Sequence, residues 1–260
     1  MKNPGSHKLL PREVHGPLEN VFTDIWVVKG GSKLPLPIPV RITKTMTIVR
    51  NPQTQELTLV NAMNVSDALL SEIETLGAVK HVLTVGGAHG KDDGFYRDRY
   101  GAQVYDVEGH QYVRKLGPAS DKNEIYMEAD THLTQESQLP LPNAELKIIR
   151  TNGAPEGVLC LKDEGGILVT GDSLQNMPGP NSYVSFLAKI ILKRKGFFHA
   201  YNVGPAWLEN AKPEASDLKS IFLDSEFANV IPGHGDPVIG GAKEKYRPSV
   251  EAAILKMGDN

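Results

Sequence analysis

Cysteine is nearly absent from this 260-residue chain: Cys160 is the only one, so no internal disulfide can form. Its apolar neighbours Val158, Leu159 and Leu161 point to a buried strand, and such cysteine usage fits a reducing cytoplasm. Long hydrophobic runs are also missing; nothing approaches the ~18 consecutive apolar residues of a membrane span. Residues 1–20 lack an apolar stretch of roughly 7–15 residues behind a basic start. They therefore read as an irregular segment without a secretory signal, and a cytoplasmic location is expected. Excess basic charge is lacking too. A formal net charge of −3 provides no electrostatic footprint for nucleic acid.

What is present is globular composition, with 40% hydrophobic and 23% charged residues, enough to bury a sizeable core. The 18 prolines and 25 glycines imply many turns and argue against a helical bundle. No internal repeat, low-complexity tract or dividing linker is visible, so residues 1–260 read as one domain.

The first half reads as strands followed by helices. Val21–Val28, Met46–Val49 and Glu56–Val60 are β-rich runs, whereas Leu34–Val40 carries three prolines and suits a loop or edge. Ser66 is the expected N-cap of a helix to Leu76, with Leu69, Leu70, Ile73 and Leu76 at helical spacing. A strand His81–Val85, a glycine-rich loop 86–94, a short helix Phe95–Tyr100 and a strand Gln103–Val107 follow. In the second half, Glu145–Ile149, Gly157–Leu161 and Ile167–Thr170 read as strands, the last two joined by a tight turn at Asp163–Gly166. Helices are expected over Tyr183–Lys195, from an N-cap at Ser216 towards Leu223, and over Ala242–Met257 with a break near Pro248. Asn229–Ile231 is a short strand. The order implies a layered α/β protein.

Three loops share one character: an apolar strand ends, and glycine with a metal-competent side chain follows. VLTV-GGAHGKDDG offers His89, Asp92 and Asp93; ILVT-GDS offers Asp172; NVI-PGHG offers His234. Imidazole nitrogen and carboxylate oxygen suit zinc, iron or manganese. Each also has a plain structural reading. Asp92 and Asp93 suit the start of a helix, Asp172 suits a turn or cap, and His89 suits a loop hydrogen bond. His234 between two glycines is the hardest to read as filler. Ser173 lacks a nucleophile elbow, and Cys160 sits mid-strand. His7, His15, His81, His110, His132 and His199 have no partner spacing and read as surface or structural residues.

The order strand-HxxxD, GDS after an apolar strand, and PGHG resembles the metallo-β-lactamase fold superfamily over nearly the whole chain. The segments HGKDDGFYRDRYGA, PEG and GDSLQN resemble a divergent branch of it whose ligand set differs from that of the lactamases. The resemblance implies a four-layer αββα sandwich with a metal site along one edge of the two sheets. The family motif HxHxDH, read from His89, gives His89, Lys91, Asp93 and Gly94; a one-residue shift puts Asp92 in the aspartate position. Ala154 stands where the middle histidine is expected, with Glu156 two residues on as a substitute oxygen ligand, and Asn61 stands for an early aspartate. Asp172 matches the bridging aspartate and His234 the last histidine.

The metal ligands expected on this resemblance are His89, Asp92 or Asp93, Asp172 and His234, with Glu156 in reserve. An ammonium at Lys91 argues against a dinuclear site. The implied activity is a mononuclear metal-dependent hydrolase of esters, lactones or thioesters. It would use one divalent cation, zinc first and iron or manganese next, and a small-molecule substrate. Asp172 or Asp93 would handle the proton and Lys91 would polarise a carbonyl. The alternative is a non-catalytic relative without metal that binds a small molecule or protein, and a homodimer fits either reading. The helix Tyr183–Lys195 suits a pocket wall with Phe197, Phe198 and Trp207, or a membrane-surface or dimer contact.

Overall fold

The computed structural model describes residues 12–33, 40–113 and 125–258. The first half contains β1 (Val14–Phe22), β2 (Ile25–Lys33), β3 (Arg41–Arg50), β4 (Glu56–Val60), α1 (Asp67–Leu76), β5 (Ala78–Thr84), α2 (Asp93–Tyr100), β6 (Gln103–Val107), the short pair β7 (Tyr112–Val113) and β8 (Ile125–Met127), and β9 (Thr131–Leu133). The second contains β10 (Ala144–Ile149), β11 (Glu156–Leu161), β12 (Ile167–Val169), β13 (Leu174–Asn176), α3 (Phe186–Arg194), β14 (Asn202–Val203) and α4 (Pro205–Ala211). It continues with α5 (Ala215–Leu218), which runs into a π-helical turn over Lys219–Asp224, then β15 (Asn229–Ile231), β16 (His234–Gly235) and α6 (Ala242–Gly258).

Among the described residues, seven strands form the first sheet in the order β1-β2-β3-β4-β5-β6-β9. It is antiparallel up to β4 and parallel from there. The second sheet runs β10-β11-β12-β15, and β14-β13-β16 form a small third sheet.

Alternation along the strands builds the layers, because successive side chains point to opposite faces. Ile25 and Val27 of β2, Val49 of β3 and Leu83 of β5 meet Leu159 and Leu161 of β11 and Val169 of β12 in a core between the sheets. Their neighbours Val28, Met46, Ile48 and Val82 face outwards and pack under Leu69, Leu70 and Ile73 of α1 and Tyr96 of α2. On the far side, Val158 and Cys160 of β11 pack under Trp207 of α4, Leu218 of α5 and Tyr246 and Val250 of α6. The result is the expected αββα sandwich. No helix of the described residues is long and apolar enough to cross a membrane.

Five expectations need correction. Residues 14–20 are not irregular, and Val21–Val28 is not one strand: the chain turns at Thr23–Asp24, with Asp24 at φ +59°, to make the β1–β2 hairpin. The backbone N–H of Arg50 closes that turn on Asp24 O at 2.9 Å. β1 was hard to read because an edge strand is only half buried and tolerates Gly16, Pro17 and the register shift between His15 and Leu18. Helix α6 runs through Pro248 without ending: burial of Tyr246, Val250 and Ala253 outweighs the lost hydrogen bond. Ser216 lies inside α5 and accepts a hydrogen bond from Arg150 Nη2, so it is not the N-cap. Trp207 of α4 is buried and packs in the core with Val158, Cys160 and Leu218, away from the exposed face expected of a pocket wall. The proline-rich stretch 34–39 and His7 lie outside the described residues.

Candidate metal centre

The site begins with a close approach of two backbones. After β5, Gly86 forms a bridge with Glu156 at the head of β11, and Gly157 N–H donates to Val85 O at 2.7 Å. A Cβ at Gly86 would lie 2.9 Å from His89 Cδ2, 3.0 Å from Gly171 Cα and 3.1 Å from Glu156 Oε2. Only glycine fits there, and its absent side chain is what allows the His89 ring to fold back over the strand end. The loop returns on itself through His89 N–H to Gly86 O at 2.9 Å.

Asp172 follows β12 in a loop fastened by a carboxylate. Glu156 Oε1 accepts the backbone N–H groups of Gly171 at 3.0 Å, Asp172 at 3.0 Å and Ser173 at 2.9 Å. Glu156 is fully buried, so it is neither a solvated turn residue nor open on that oxygen; Oε2 keeps no hydrogen-bond partner.

His234 is delivered by the Pro-Gly-His-Gly turn after β15, where β16 pairs with β13 and Thr45 Oγ1 donates to Gly235 O at 2.8 Å. Its Nδ1 lies 2.5 Å from Thr43 O. A carbonyl only accepts, so Nδ1 carries the proton and Nε2 is the atom presented to the site.

These three residues converge. His89, Asp172 and His234 each offer a ligand atom within 4.8 Å of the others. His234 Nε2 is 2.9 Å from Asp172 Oδ1, and His89 Nε2 is 3.6 Å from Asp172 Oδ2. Burial pushes the His89 pKa down to about 4, so the ring is neutral at pH 7 and able to ligate. Burial alone would raise the Asp172 pKa, and the proximity of His89 and His234 turns the net direction downward. Both ring nitrogens of His89 are buried without a hydrogen-bond partner. Such orphaned atoms cost about 1–3 kcal/mol each unless something meets them. Two imidazoles and a carboxylate meet the donor requirements of a divalent cation.

Asp92 and Asp93 are fully buried at the start of α2 but are not part of this triad. Asp93 Oδ2 accepts from Thr84 Oγ1 at 2.6 Å and from Tyr112 Oη at 3.1 Å, while Oδ1 has no partner. Burial pushes its pKa up to about 7. Asp92 is also raised by burial, opposed by the charges of Lys44 and Lys91. The Lys91 ammonium is held by Glu13 and the Lys33 carbonyl at the rim.

Sequence reasoning missed two buried residues here. Lys44 of β3 is 3% exposed, and its Nζ donates to Ala62 O at 2.7 Å. Burial lowers its pKa and the Asp92 charge opposes that. Its signal was the strand period, since Lys44 shares a face with Met46 and Ile48. His110 was read as a surface or structural residue; it is buried, its Nε2 is unpartnered, and burial pushes its pKa down to about 4. A Cβ at Gly90 would sit 3.1 Å from His110 Nε2 and 3.3 Å from Asp93 Oδ2, so imidazole and carboxylate converge over that glycine. No local sequence signal marks His110.

No protein-family model and no curated protein matches the chain. Solved structures do. VMB-1 at pH 5.5 superposes with a TM-score of 0.62 at 12% identity, over 94% of this chain and 99% of that one. A metallo-β-lactamase from Hirschia baltica gives 0.56 at 15% identity, over 93% and 98%. The metallo-β-lactamase FIM-1 from Pseudomonas aeruginosa, in a mono-zinc form, gives 0.55 at 12% identity, over 94% and 99%. Identities this low speak for the fold: this chain has the metallo-β-lactamase fold.

Proposed function

We propose that the protein is a metal-dependent hydrolase with a single-cation centre held by His89, Asp172 and His234. The observation that carries this is the buried triad, whose ligand atoms lie within 4.8 Å of one another while both nitrogens of His89 are unpartnered. FIM-1 shares the fold and was crystallised in a mono-zinc form, which supports zinc as the first ion to test. A divalent cation supplies Lewis acidity that brings the pKa of water towards ~7.

The chain's own residues prepare the rest. Thr43 O fixes the tautomer of His234, and Glu156 fixes the loop that carries Asp172. Asp93, with a free Oδ1 and a pKa near 7, suits the transfer of a proton at neutral pH. Lys91 is tied to Glu13, and we assign it no part in the chemistry. Glu156 is a positioning residue and not a ligand on Oε1, which its three N–H donors occupy. The shared core between the two sheets supports one domain. Esters, lactones and thioesters are the substrate classes this chemistry addresses.

The test is a panel of chromogenic esters, lactones and thioesters with protein before and after chelation. Hydrolysis lost on chelation and restored by zinc, iron or manganese is the expected result. Full activity after complete metal removal would overturn the reading.

A further inference from the structure

Helix α3 leaves an apolar face in solvent. Its inner side, Ala188, Ile191 and Leu192, packs on Val40, Ile42, Val184, Phe197 and Phe198. Its outer side shows Phe186 at 80%, Leu187 at 40% and Ile190 at 43% exposure. Seven large hydrophobic residues are exposed among the described residues, and three of them share this one face; Val14, Ile125, Ile239 and Leu255 lie far apart in sequence. Such clustering marks a contact surface, where scattered exposure would not.

The charge on this helix is of one sign. Lys189, Lys193, Arg194 and Lys195 are cationic, no acidic residue lies between Ser185 and Gly196, and none of the four cations is in an ion pair among the described residues. This local excess stands out in a chain of net charge −3. Phe186, Ile190 and Arg194 follow one another at i, i+4 and i+8, so apolar and cationic groups share the outward stripe. A second copy of the chain docking helix to helix would bring four more cations and no carboxylate. A surface of anionic lipids instead offers both an apolar boundary for the aromatic and aliphatic side chains and phosphates for the cations.

We propose that α3 docks the protein on an anionic lipid surface, with Phe186, Leu187 and Ile190 entering the headgroup boundary and Lys193, Arg194 and Lys195 meeting the lipid phosphates. The docking face is close to the metal centre along one strand. Ser185 N–H donates to Arg41 O at 3.1 Å, and two residues further along β3 Thr43 O receives His234 Nδ1. The proposal stands independently of the hydrolase reading.

The test is co-sedimentation of the full chain with vesicles of phosphatidylcholine alone or mixed with phosphatidylserine. The parent protein should pellet with the mixed vesicles and stay in solution with phosphatidylcholine. Each cation contributes roughly fivefold to partition, so Lys193→Gln, Arg194→Gln and Lys195→Gln together should lower it about a hundredfold. Phe186→Ser with Ile190→Ser should abolish pelleting. All five side chains are at the surface, so melting temperatures should stay close to the parent's. Parent protein that remains in solution with both vesicles would overturn the proposal, as would pelleting unaffected by both sets of substitutions. Sedimentation velocity showing a dimer that Phe186→Ser with Ile190→Ser dissociates would assign the face to a second copy instead.

Discussion

Glu156 Oε1 receives the backbone N–H of Asp172 at 3.0 Å, together with those of Gly171 and Ser173, so one buried carboxylate sets where the loop carries its charge. Burial and the Asp172 charge push the Glu156 pKa up, and the backbone N–H donors of Ser173 and Asp172 oppose that. Glu156→Gln keeps an accepting oxygen without a charge and should cost at most about 1 kcal/mol. Glu156→Ala leaves three buried N–H groups unmet and should cost at least about 3 kcal/mol, with loss of metal affinity. Urea unfolding of both variants checks this. Equal costs would refute the role given to Oε1.

Gly86 is where two loops touch. A methyl group there would press on His89 Cδ2 at 2.9 Å and on the Gly171 backbone at 3.0 Å. Gly86→Ala should therefore destabilise by about 1–3 kcal/mol and weaken metal binding by displacing the His89 ring. Isothermal titration with zinc would reveal the second effect. Unchanged affinity would mean that the ring is not positioned by this contact.

Asp93 makes a pH prediction with a definite sign. Its pKa rises from 3.8 to about 7 on burial, so the folded protein holds a proton that the unfolded chain releases over that window. The stability from this group is complete below pH ~4 and is lost as pH rises towards ~7. Asp93→Asn has no proton to lose and still accepts from Thr84 and Tyr112. In metal-free protein its stability relative to the parent should grow by up to about 1.4 kcal/mol per pH unit across that range and then level off. Denaturation at a series of pH values reads this directly, and a pH-independent difference would contradict it.

Lys91 holds Glu13 and the Lys33 carbonyl, both on the segment entering or leaving the β1–β2 hairpin. Lys91→Ala should leave kcat within about threefold of the parent, since its ammonium is engaged by Glu13 and the Lys33 carbonyl in a part-buried pair and supplies no ligand atom to the triad. A loss above about a hundredfold would return Lys91 to the chemistry.

The layers were legible because β4 and β11 are buried on both faces, and such strands read as short, nearly unbroken apolar runs. His234 was legible for a different reason, since its flanking glycines announce a tight presentation at a strand end. The edge strand β1 was not, because half burial erases alternation. Lys44 stayed hidden among the threonines of β3, where its register with Met46 gives it away only once the strand is known. His110 depends on contacts with Tyr112 and the Gly90 loop that no spacing encodes. Glu156 was seen as an oxygen near the site, but its task, accepting three amides from a loop fifteen to seventeen residues away, exists only in three dimensions.

The central claim is that His89, Asp172 and His234 hold one cation, and metal content tests it most directly. Protein purified without chelator and reconstituted with zinc should carry close to one metal per chain by elemental analysis, and His234→Ala should carry less than about a tenth of that. This follows because removing one of three ligands typically costs far more than the 10–100-fold lost with an outer-shell partner. Absence of metal in the parent after reconstitution, or undiminished metal in His234→Ala, would contradict the account.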